Sequence, residues 1–282
     1  MGRLSRSWEL VKASWSVLRQ DKELLVFPLI SSIAMLVVVA CFALPVVGIA
    51  GFDGIRHMAN GHASTAHYVV GFLFYVVQYF VIFYFNAALV GAAMIRLSGG
   101  DPTVSDGLSI ASSKLWNILG YALIAATVGM VLRAIQERVG FLGKIVVGFL
   151  GAAWSIATFL VVPVLVTRDV GPVEAVQESA VLLKRTWGEN VVGQAGIGLA
   201  FGLIQIAIVV TGIAIIVAAA LTQSVPLVVI AIVGLVCVVL ATALAHSALS
   251  GIYSAALYRF ASGNEGTSGF DSETLRLAFR PK

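Results

Sequence analysis

Charged side chains are scarce in this sequence. Asp, Glu, Lys and Arg together make up 11% of the 282 residues, whereas about 25% is usual in a soluble domain. Hydrophobic residues make up 59%, and the mean hydropathy is +0.98. Several apolar runs exceed the roughly 20 residues that a helix needs to cross the hydrocarbon core of a bilayer. The composition excludes an ordinary soluble domain and predicts an all-α polytopic membrane protein.

Cysteine is also rare. The two cysteines, Cys41 and Cys237, both lie inside apolar runs, which excludes a disulfide framework and a cysteine-rich metal site. His57, His62 and His67 share a polar segment, but their spacing of five spreads the rings around a helix instead of along one face. We therefore expect no metal site and no cofactor.

Catalytic patterns are missing as well. The sequence contains no Ser-His-Asp set, no Gly-rich phosphate loop and no cluster of His with carboxylates. We therefore predict that the chain is not an enzyme, and a lipid enzyme is the least favoured class. The net charge of +4 comes from basic residues that flank the apolar runs, which suits anionic lipid head groups rather than nucleic acid.

Six apolar segments are long enough to span a membrane, and they pair into three hairpins. No Asp, Glu, Lys or Arg lies between the ends of any segment, which argues against a proton- or ion-coupled pump. Residues 1–260 are predicted to form the membrane domain, and 261–282 a cytoplasmic tail. The predicted spans are 24–51, 68–95, 117–132, 145–167, 190–221 and 226–258, with a polar loop over 52–67.

An amphipathic segment precedes the first span. Residues 4–20 place Leu, Val and Trp on one face with Arg and Lys around it, which is typical of a helix lying on the bilayer surface. Trp8 and Trp15 would then lie at head-group depth. A helix packed on a partner protein is the alternative, and the span that follows within a few residues favours the membrane surface.

Two further amphipathic segments, the elbows, join the hairpins and are predicted to be surface-bound. The first covers 99–116, with Asp101 as its N-cap and Pro102 as its first helical residue. The second begins at Pro172. Steps of three and four define an apolar stripe on each elbow. The stripes are Val104, Leu108, Ala111 and Leu115 on the first elbow, and Val173, Val176, Ala180, Leu183 and Trp187 on the second.

The sequence also shows a threefold internal repeat of similar segments. Spans two, four and six each end at an arginine, and a glycine follows each arginine within four residues. Both elbows exit through Trp and an Asn-x-x-Gly sequence. Arg and Trp are common at any membrane interface, but the matching exits favour a threefold repeat. The predicted interfacial anchors are Trp8, Trp15, Trp116, Trp187, Arg96, Arg168 and Arg259.

Lys and Arg are distributed unequally between the two sides of the predicted membrane domain. Fourteen lie on the side of the termini and the elbows, and four lie on the other side. The positive-inside rule therefore places both termini and both elbows in the cytoplasm, and the chain in the cytoplasmic (inner) membrane.

The second elbow follows a recognisable motif. A span with a proline leads to a short break and then to E-A-x-x-x-S with a Lys and Trp exit: Pro163, Gly171-Pro172, Glu174-Ala175, Ser179, Lys184 and Trp187. This motif resembles the membrane domains of the glycerophosphoryl diester phosphodiesterase family. That family's soluble catalytic barrel has no counterpart here, so the resemblance implies architecture and membrane location but no active site.

The chain as a whole resembles a bacterial family of six-span membrane proteins of unassigned function. The likeness rests on the N-terminal Trp pair, the Asp21-Lys-Glu-Leu-Leu entry to the first span with Phe27-Pro28, and the Phe279-Arg-Pro-Lys end.

Five of the uncharged polar residues within the predicted spans are candidates for a site. Three of them, Asn86, Gln205 and His246, are expected at similar depth near the middle of the bilayer and pointing inward, because an unpaired amide facing lipid is costly. Helix packing through hydrogen bonds and a polar path or ligand pocket both remain open. His246 would be the only proton switch, titrating near pH 6 to 7. The five candidates are Asn86, Gln205, His246, Thr242 and Ser250.

Two functional hypotheses follow. The favoured one is a membrane-organising or accessory component that works with the lipid bilayer, with membrane-protein partners or as a homo-oligomer. The alternative is a transporter or channel for a small or lipidic solute, which internal repetition favours.

Overall fold

The structure, a computed structural model, describes residues 12, 14–59, 65–185 and 187–263. Within these ranges it contains helices and turns but no strand. Residues 14–20 are helical, and a short 3-10 helix covers Lys22–Leu25. The helices that follow are α1 (Val26–Ala59), α2 (Thr65–Leu97), α3 (Val104–Ser113), α4 (Leu115–Arg138), α5 (Phe141–Ala157), α6 (Val161–Thr167), α7 (Pro172–Arg185), α8 (Trp187–Leu221) and α9 (Val225–Ala261).

Six segments of the described chain are long and apolar enough to cross a membrane. Their surfaces expose large apolar side chains that a soluble protein would bury: Leu36 and Leu44 are both 70% exposed, and Ile230 is 67% exposed. The chain is therefore an all-α polytopic membrane protein, as its composition predicts. The six segments are Lys22–Pro45, Tyr68–Leu97, Leu115–Arg138, Phe141–Thr167, Phe201–Leu221 and Val225–Ala261.

Several helices extend beyond the predicted spans, because helical structure continues past the apolar residues. The predicted loop 52–67 is helical over 52–59 and 65–67. The third span runs on to Arg138, where Arg133 and Glu137 form an ion pair of 3.0 Å one helical turn apart. Hydropathy marks where a helix leaves the lipid, whereas these helices end farther along the chain.

The fourth predicted span, 145–167, is two helices. α5 ends at Ala157, a turn covers 158–160, and α6 begins at Val161. Pro163 explains the break, because a proline ring clashes with the carbonyl group four residues earlier, here that of Phe159, and has no N–H to donate. Phe141–Thr167 is therefore one candidate span built from two helices.

The first elbow helix, α3, begins two residues later than predicted. Thr103 is the N-cap, since its hydroxyl accepts a hydrogen bond from the Asp106 N–H at 3.2 Å and its own N–H donates to the Asp106 carboxylate at 2.9 Å. Asp101 instead pairs with Arg96 at 3.2 Å, and Pro102 precedes the helix. A reciprocal capping box satisfies two backbone groups, which Asp101 with Pro102 would not.

The second elbow helix, α7, begins at Pro172 as predicted, but it buries a different face. Ala175 and Ser179 are fully buried, whereas Val173 and Ala180 of the predicted stripe are exposed. Val176 and Leu183 do pack against the core. Close packing on α5 and α6 requires small side chains, so Ala175 and Ser179 determine the rotation of α7 more than hydropathy does.

The ends of α2, α6 and α9 lie together with both elbows at one end of the bundle, the elbow end. The opposite end, the far end, holds the end of α1, the start of α2 and the turns between α4 and α5 and between α8 and α9. α2 is central and packs against α1, α3, α4, α6 and α9, while α8 packs mainly along α9. The buried core lies at the elbow end and includes 87–93 of α2, 160–165 and 248–258 of α9.

Candidate functional site

A cavity of about 710 Å³ lies between α1, α2, α4, α5, α6 and α9. This volume falls within the range of roughly 300–1,000 Å³ that is usual for small-molecule sites. Three of the five polar candidates, Asn86, His246 and Ser250, line it together. The structure therefore brings side chains from α2 and α9, 160 residues apart in sequence, to one site.

One wall of the cavity comes from a single polar face of α9. His246, Ser250 and Ser254 recur every four residues, and Ser247 lies beside them. Gly251, on the same face, lets α9 approach α2, because a Cβ atom there would lie 2.4 Å from the Leu89 Cδ2 atom. Close packing at the elbow end thus positions this polar wall.

An aromatic wall faces it from α2 and α4. The Tyr79 and Phe83 rings stack with centroids 5.6 Å apart, and the Phe83 and Tyr121 centroids are 4.5 Å apart. Asn86 follows one turn after Phe83, at the edge of this wall. The cavity therefore presents polar groups on one side and ring faces on the other.

The break between α5 and α6 supplies the third side. Thr158 and Phe159 in the turn line the cavity together with Trp154 and Ser155 of α5. A break in a membrane span leaves backbone groups without helical partners, which lipid cannot satisfy. Such breaks occur where they border a cavity or are covered by protein.

The elbow helix α7 supplies hydrogen-bond partners for backbone groups at this break. The buried Ser179 hydroxyl donates to the Ala157 carbonyl oxygen at 2.6 Å and accepts from the Leu160 N–H at 3.1 Å. One hydroxyl therefore bridges the last residue of α5 and the residue before α6. Ser179, the serine of the elbow motif, is thus the residue through which the elbow contacts the wall of the cavity.

Polar residues from the three sides of the cavity lie at comparable depth. Asn86 is ten residues before Arg96, Thr158 is ten before Arg168, and His246 is thirteen before Arg259. At 1.5 Å per residue these separations correspond to about 15–20 Å from the elbow end. A hydrocarbon core of about 30 Å then places the cavity near the middle of the bilayer.

Among the described residues, the cavity lining contains no Asp, Glu, Lys or Arg. The hydroxyls of Ser155, Thr158 and Ser254 donate to carbonyl groups of the preceding helical turn, so their oxygens remain available as acceptors. Within the described chain, the Asn86 amide and the His246 ring have no hydrogen-bond partner, and the ring packs on Phe201 with centroids 4.9 Å apart. The site therefore offers neutral donors and acceptors.

The other two polar candidates lie outside the cavity lining. The Thr242 hydroxyl donates to the Gln205 amide oxygen at 2.9 Å, which links α9 to α8 one turn nearer the far end than His246. For Gln205 and Thr242 the packing interpretation applies. Within the described residues, no group of three or more His, Cys, Asp or Glu side chains is arranged to hold a metal ion. The side chains of His57, His62 and His67 lie outside the described part.

The three predicted arginine anchors connect neighbouring segments at the elbow end. Arg96 donates to the Gln20 carbonyl oxygen at 3.2 Å, Arg168 pairs with Glu178 at 2.9 Å, and Arg259 donates to the Ser98 hydroxyl. Hydrogen bonding to Tyr258, then the charge of Glu178, raises the pKa of Arg168. The Arg168 guanidinium group therefore stays charged.

A second set of contacts ties the two elbows together. Lys114, at the end of α3, donates to the Arg168 carbonyl oxygen at 3.0 Å and pairs with Asp169 at 3.1 Å. The Asn117 amide donates to the Val170 carbonyl oxygen at 3.1 Å. The exit of the first elbow thus holds the loop that leads into the second.

The tryptophan anchors are only partly described. Trp15 is 45% exposed and Trp116 is 78% exposed, both at the elbow end. Trp187 begins α8, and the interpretation of Trp8 and of residues 4–11 falls outside the described chain. Exposed indole rings at this level suit the head-group region of a bilayer.

Sequence reasoning missed the break and the residues around it. Pro163 was the available signal for Thr158 and Phe159, since a proline inside an apolar run predicts a helix break about four residues earlier. No local signal identifies Tyr79, Phe83 or Tyr121, because aromatic residues in a span serve packing as often as a site.

Comparison with known proteins gives a family and no activity. No curated protein and no solved structure matches the chain. A family model described as "Family of unknown function (DUF6159)" matches residues 65–270, which include every wall of the cavity except the part from α1. The chain belongs to this family.

Proposed function

We propose that the protein binds an uncharged solute in the cavity and moves it within or across the membrane, as a transporter or channel. The observation that carries the proposal is a cavity of about 710 Å³ at mid-membrane depth, lined by Asn86, His246 and Ser250 and by no charged side chain of the described residues. This is the alternative hypothesis from the sequence, and the cavity now favours it over the membrane-organising one.

Electrostatics supports a neutral cargo. An ion that leaves water for a low-dielectric cavity loses several kcal/mol of hydration free energy, which charged or densely arranged polar ligands must replace. Asn86, His246 and the serines of α9 provide scattered neutral groups instead. A neutral solute that donates and accepts a few hydrogen bonds loses little on entering and can pair with the Asn86 amide and the His246 ring.

The test is solute movement in proteoliposomes that contain the purified protein. Glycerol represents a small neutral solute, and a fluorescent diacylglycerol represents a lipidic one. We expect movement of at least one of them above the rate in protein-free vesicles. Ser155→Phe, which places a ring in the cavity, should abolish it.

The matched control is Ala153→Phe on the same helix. Ala153 is exposed and does not line the cavity, so this variant should keep the wild-type rate. If neither solute moves faster than in empty vesicles, or if both variants behave alike, the proposed function is wrong.

A second candidate is a membrane-organising or accessory component, without catalytic activity. The observation that favours it is the exposure of Trp116, Val173 and Val181 on and beside the elbows, where they are available to head groups or to a partner. Cross-linking through these positions in intact membranes would identify such a partner or a second copy of the chain. In that case Ser155→Phe should leave the cross-links unchanged.

We infer that both termini and both elbows face the cytoplasm and that the protein lies in the inner membrane. The support is the 14-to-4 distribution of Lys and Arg, together with the elbow's resemblance to the phosphodiesterase membrane domains. Single cysteines at Ser64 and Ser272, in a chain without Cys41 and Cys237, should label from opposite sides. Equal labelling of both by an impermeant reagent would contradict the orientation.

A further inference from the structure

The cavity has a closed end and an open side. Leu89, Tyr121, Val162 and Ser254 lie where the cavity meets the elbow-end core, and each is buried. Ser155 of α5, Ser247 of α9 and Ile82 of α2 also line the cavity but are exposed. A lining residue that is also exposed marks an opening, so the cavity opens beside Ile82 and between α5 and α9. The gap between α5 and α9 is called the mouth.

This mouth faces lipid. α5 packs on α4 and α7, α8 packs on α9, and the cavity separates α5 from α9. Toward the far end the two helices expose large apolar side chains on their surfaces, Phe149 and Leu150 on α5 and Val236 and Leu240 on α9. In a bilayer such surfaces contact the hydrocarbon chains of lipids. Entry through this gap suits a molecule that already resides in the bilayer.

We propose that the ligand is an uncharged single-chain amphiphile, whose neutral head group binds among Asn86, His246 and Ser250 while its hydrocarbon chain leaves between α5 and α9. This inference rests on the proposed function and assigns its substrate class. The polar face of α9 binds the head group, and the Tyr79–Phe83–Tyr121 wall packs against the first part of the chain. The lack of a charged lining residue selects against an ionic head group.

The experiment is photolabelling of the full chain in lipid nanodiscs with three probes. Each carries the same hexadecyl chain with a diazirine, and the head groups are glycerol, phosphate and trimethylammonium. We expect the glycerol probe to label at least about tenfold more than either charged probe, which corresponds to the loss of one buried hydrogen-bonded contact. The label should map to peptides of α5 and α9.

Variants locate the label in the cavity. Ser155→Phe should remove labelling by the glycerol probe, and Ala153→Phe should retain it. Asn86→Leu with His246→Leu makes the head-group region more apolar and should abolish the preference for glycerol while chain labelling persists. Equal labelling by all three probes, or labelling that ignores Ser155→Phe, would overturn the inference.

Failure here can be told from failure of the proposed function. If glycerol itself crosses the vesicles and Ser155→Phe stops it, but no amphiphile labels the cavity, then the function stands and the substrate class is wrong. If nothing crosses and nothing labels, both are wrong.

Discussion

The two ends of α9 differ in the burial of their side chains although both are apolar. Near the far end Ile230 and Leu240 are exposed, whereas near the elbow end Leu249 and Leu257 are buried. The elbow-end half carries Ala, Gly and Ser every three to four residues, and the far-end half is mostly Val, Leu and Ile. In lipid, apolar side chains gain nothing by leaving the solvent, so helices associate where small residues let backbones approach. Burial therefore follows side-chain size, not hydropathy.

The elbows complete the packed end. Gly107 of α3 is buried so closely that a Cβ atom would lie 2.5 Å from the Phe27 Cζ atom and 2.6 Å from the Ala88 carbonyl oxygen. Ala111 of α3 and Ala175 of α7 are fully buried as well. The elbow end is therefore a rigid base, and the open part of the cavity lies above it toward the far end.

The largest effect is expected from a charge on the packed face of α7. Val176→Asp places a carboxylate against the core, and the cost of burying it unpaired should lower the free energy of unfolding by about 4 kcal/mol. Val173→Asp and Gln177→Asp, at exposed positions of the same helix, should change it little. Thermal unfolding in detergent measures all three. An equal loss of stability in Val173→Asp would show that the apolar stripe predicted from the sequence is the packed face.

The next effect compares the two ends of α9 directly. Leu257→Ala should cost about 3 kcal/mol, since it leaves a cavity in the packed end. Leu240→Ala, at a position 52% exposed, should cost less than about 1 kcal/mol because lipid fills the space. Similar losses would show that the far end is packed as tightly as the elbow end, and the comparison would fail.

A smaller effect is expected where an elbow meets the broken span. Ser179→Ala leaves the Ala157 carbonyl and the Leu160 N–H without a partner in a buried place, at a cost of about 2 kcal/mol. Ser155→Ala removes a hydroxyl that bonds only to the carbonyl of its own preceding turn and should be nearly neutral. If the two variants unfold at the same temperature, Ser179 does not support the break.

The smallest effect is a pH dependence at the elbow end. Burial raises the pKa of Asp21, an effect that the Arg96 charge opposes. The folded chain thus holds this proton more tightly than the unfolded chain, so the group's contribution to stability is full below about pH 4 and is lost as pH rises through the folded-state pKa. Asp21→Asn cannot ionise, and its melting temperature relative to wild type should rise between pH 4 and pH 7.

Asp106→Asn is the control with the opposite sign. Hydrogen bonds from the Thr103 backbone and hydroxyl lower the pKa of Asp106, so its contribution is present above about pH 4 and is lost as pH falls through the folded-state pKa. Its melting temperature relative to wild type should therefore fall as pH rises toward about 4 and change little between pH 4 and pH 7. Parallel slopes for the two variants would contradict the assignment of Asp21.

Hydropathy and local motifs predicted the spans and the start of α7 well. Six spans follow from apolar length alone, and Pro172 marks the first residue of a helix because it needs no N–H partner there. Neither signal reports which side of a helix meets lipid and which meets protein. The rotation of α7 was therefore missed, since it depends on Ala175 and Ser179 meeting α5 and α6.

Some residues of the site were predictable from the sequence, but their arrangement was not. Asn86, His246 and Ser250 are candidates because burying polar side chains in lipid is costly, so such residues often have a function. Their convergence depends on which helices are neighbours, and nothing local distinguishes them from Gln205, which pairs with α9 instead. A distant contact decides what each side chain does, and a single sequence does not encode such contacts visibly.

The Ser179 bridge also constrains the order of assembly during synthesis. Ala157 and Leu160 enter the membrane about 20 residues before Ser179 is made, so the broken span is at first without the hydroxyl that satisfies it. Until α7 docks, those backbone groups must find water or another partner in the insertion machinery, because lipid offers none. We expect the second hairpin to be released into the bilayer only after the second elbow has emerged, which makes this elbow a checkpoint in biogenesis.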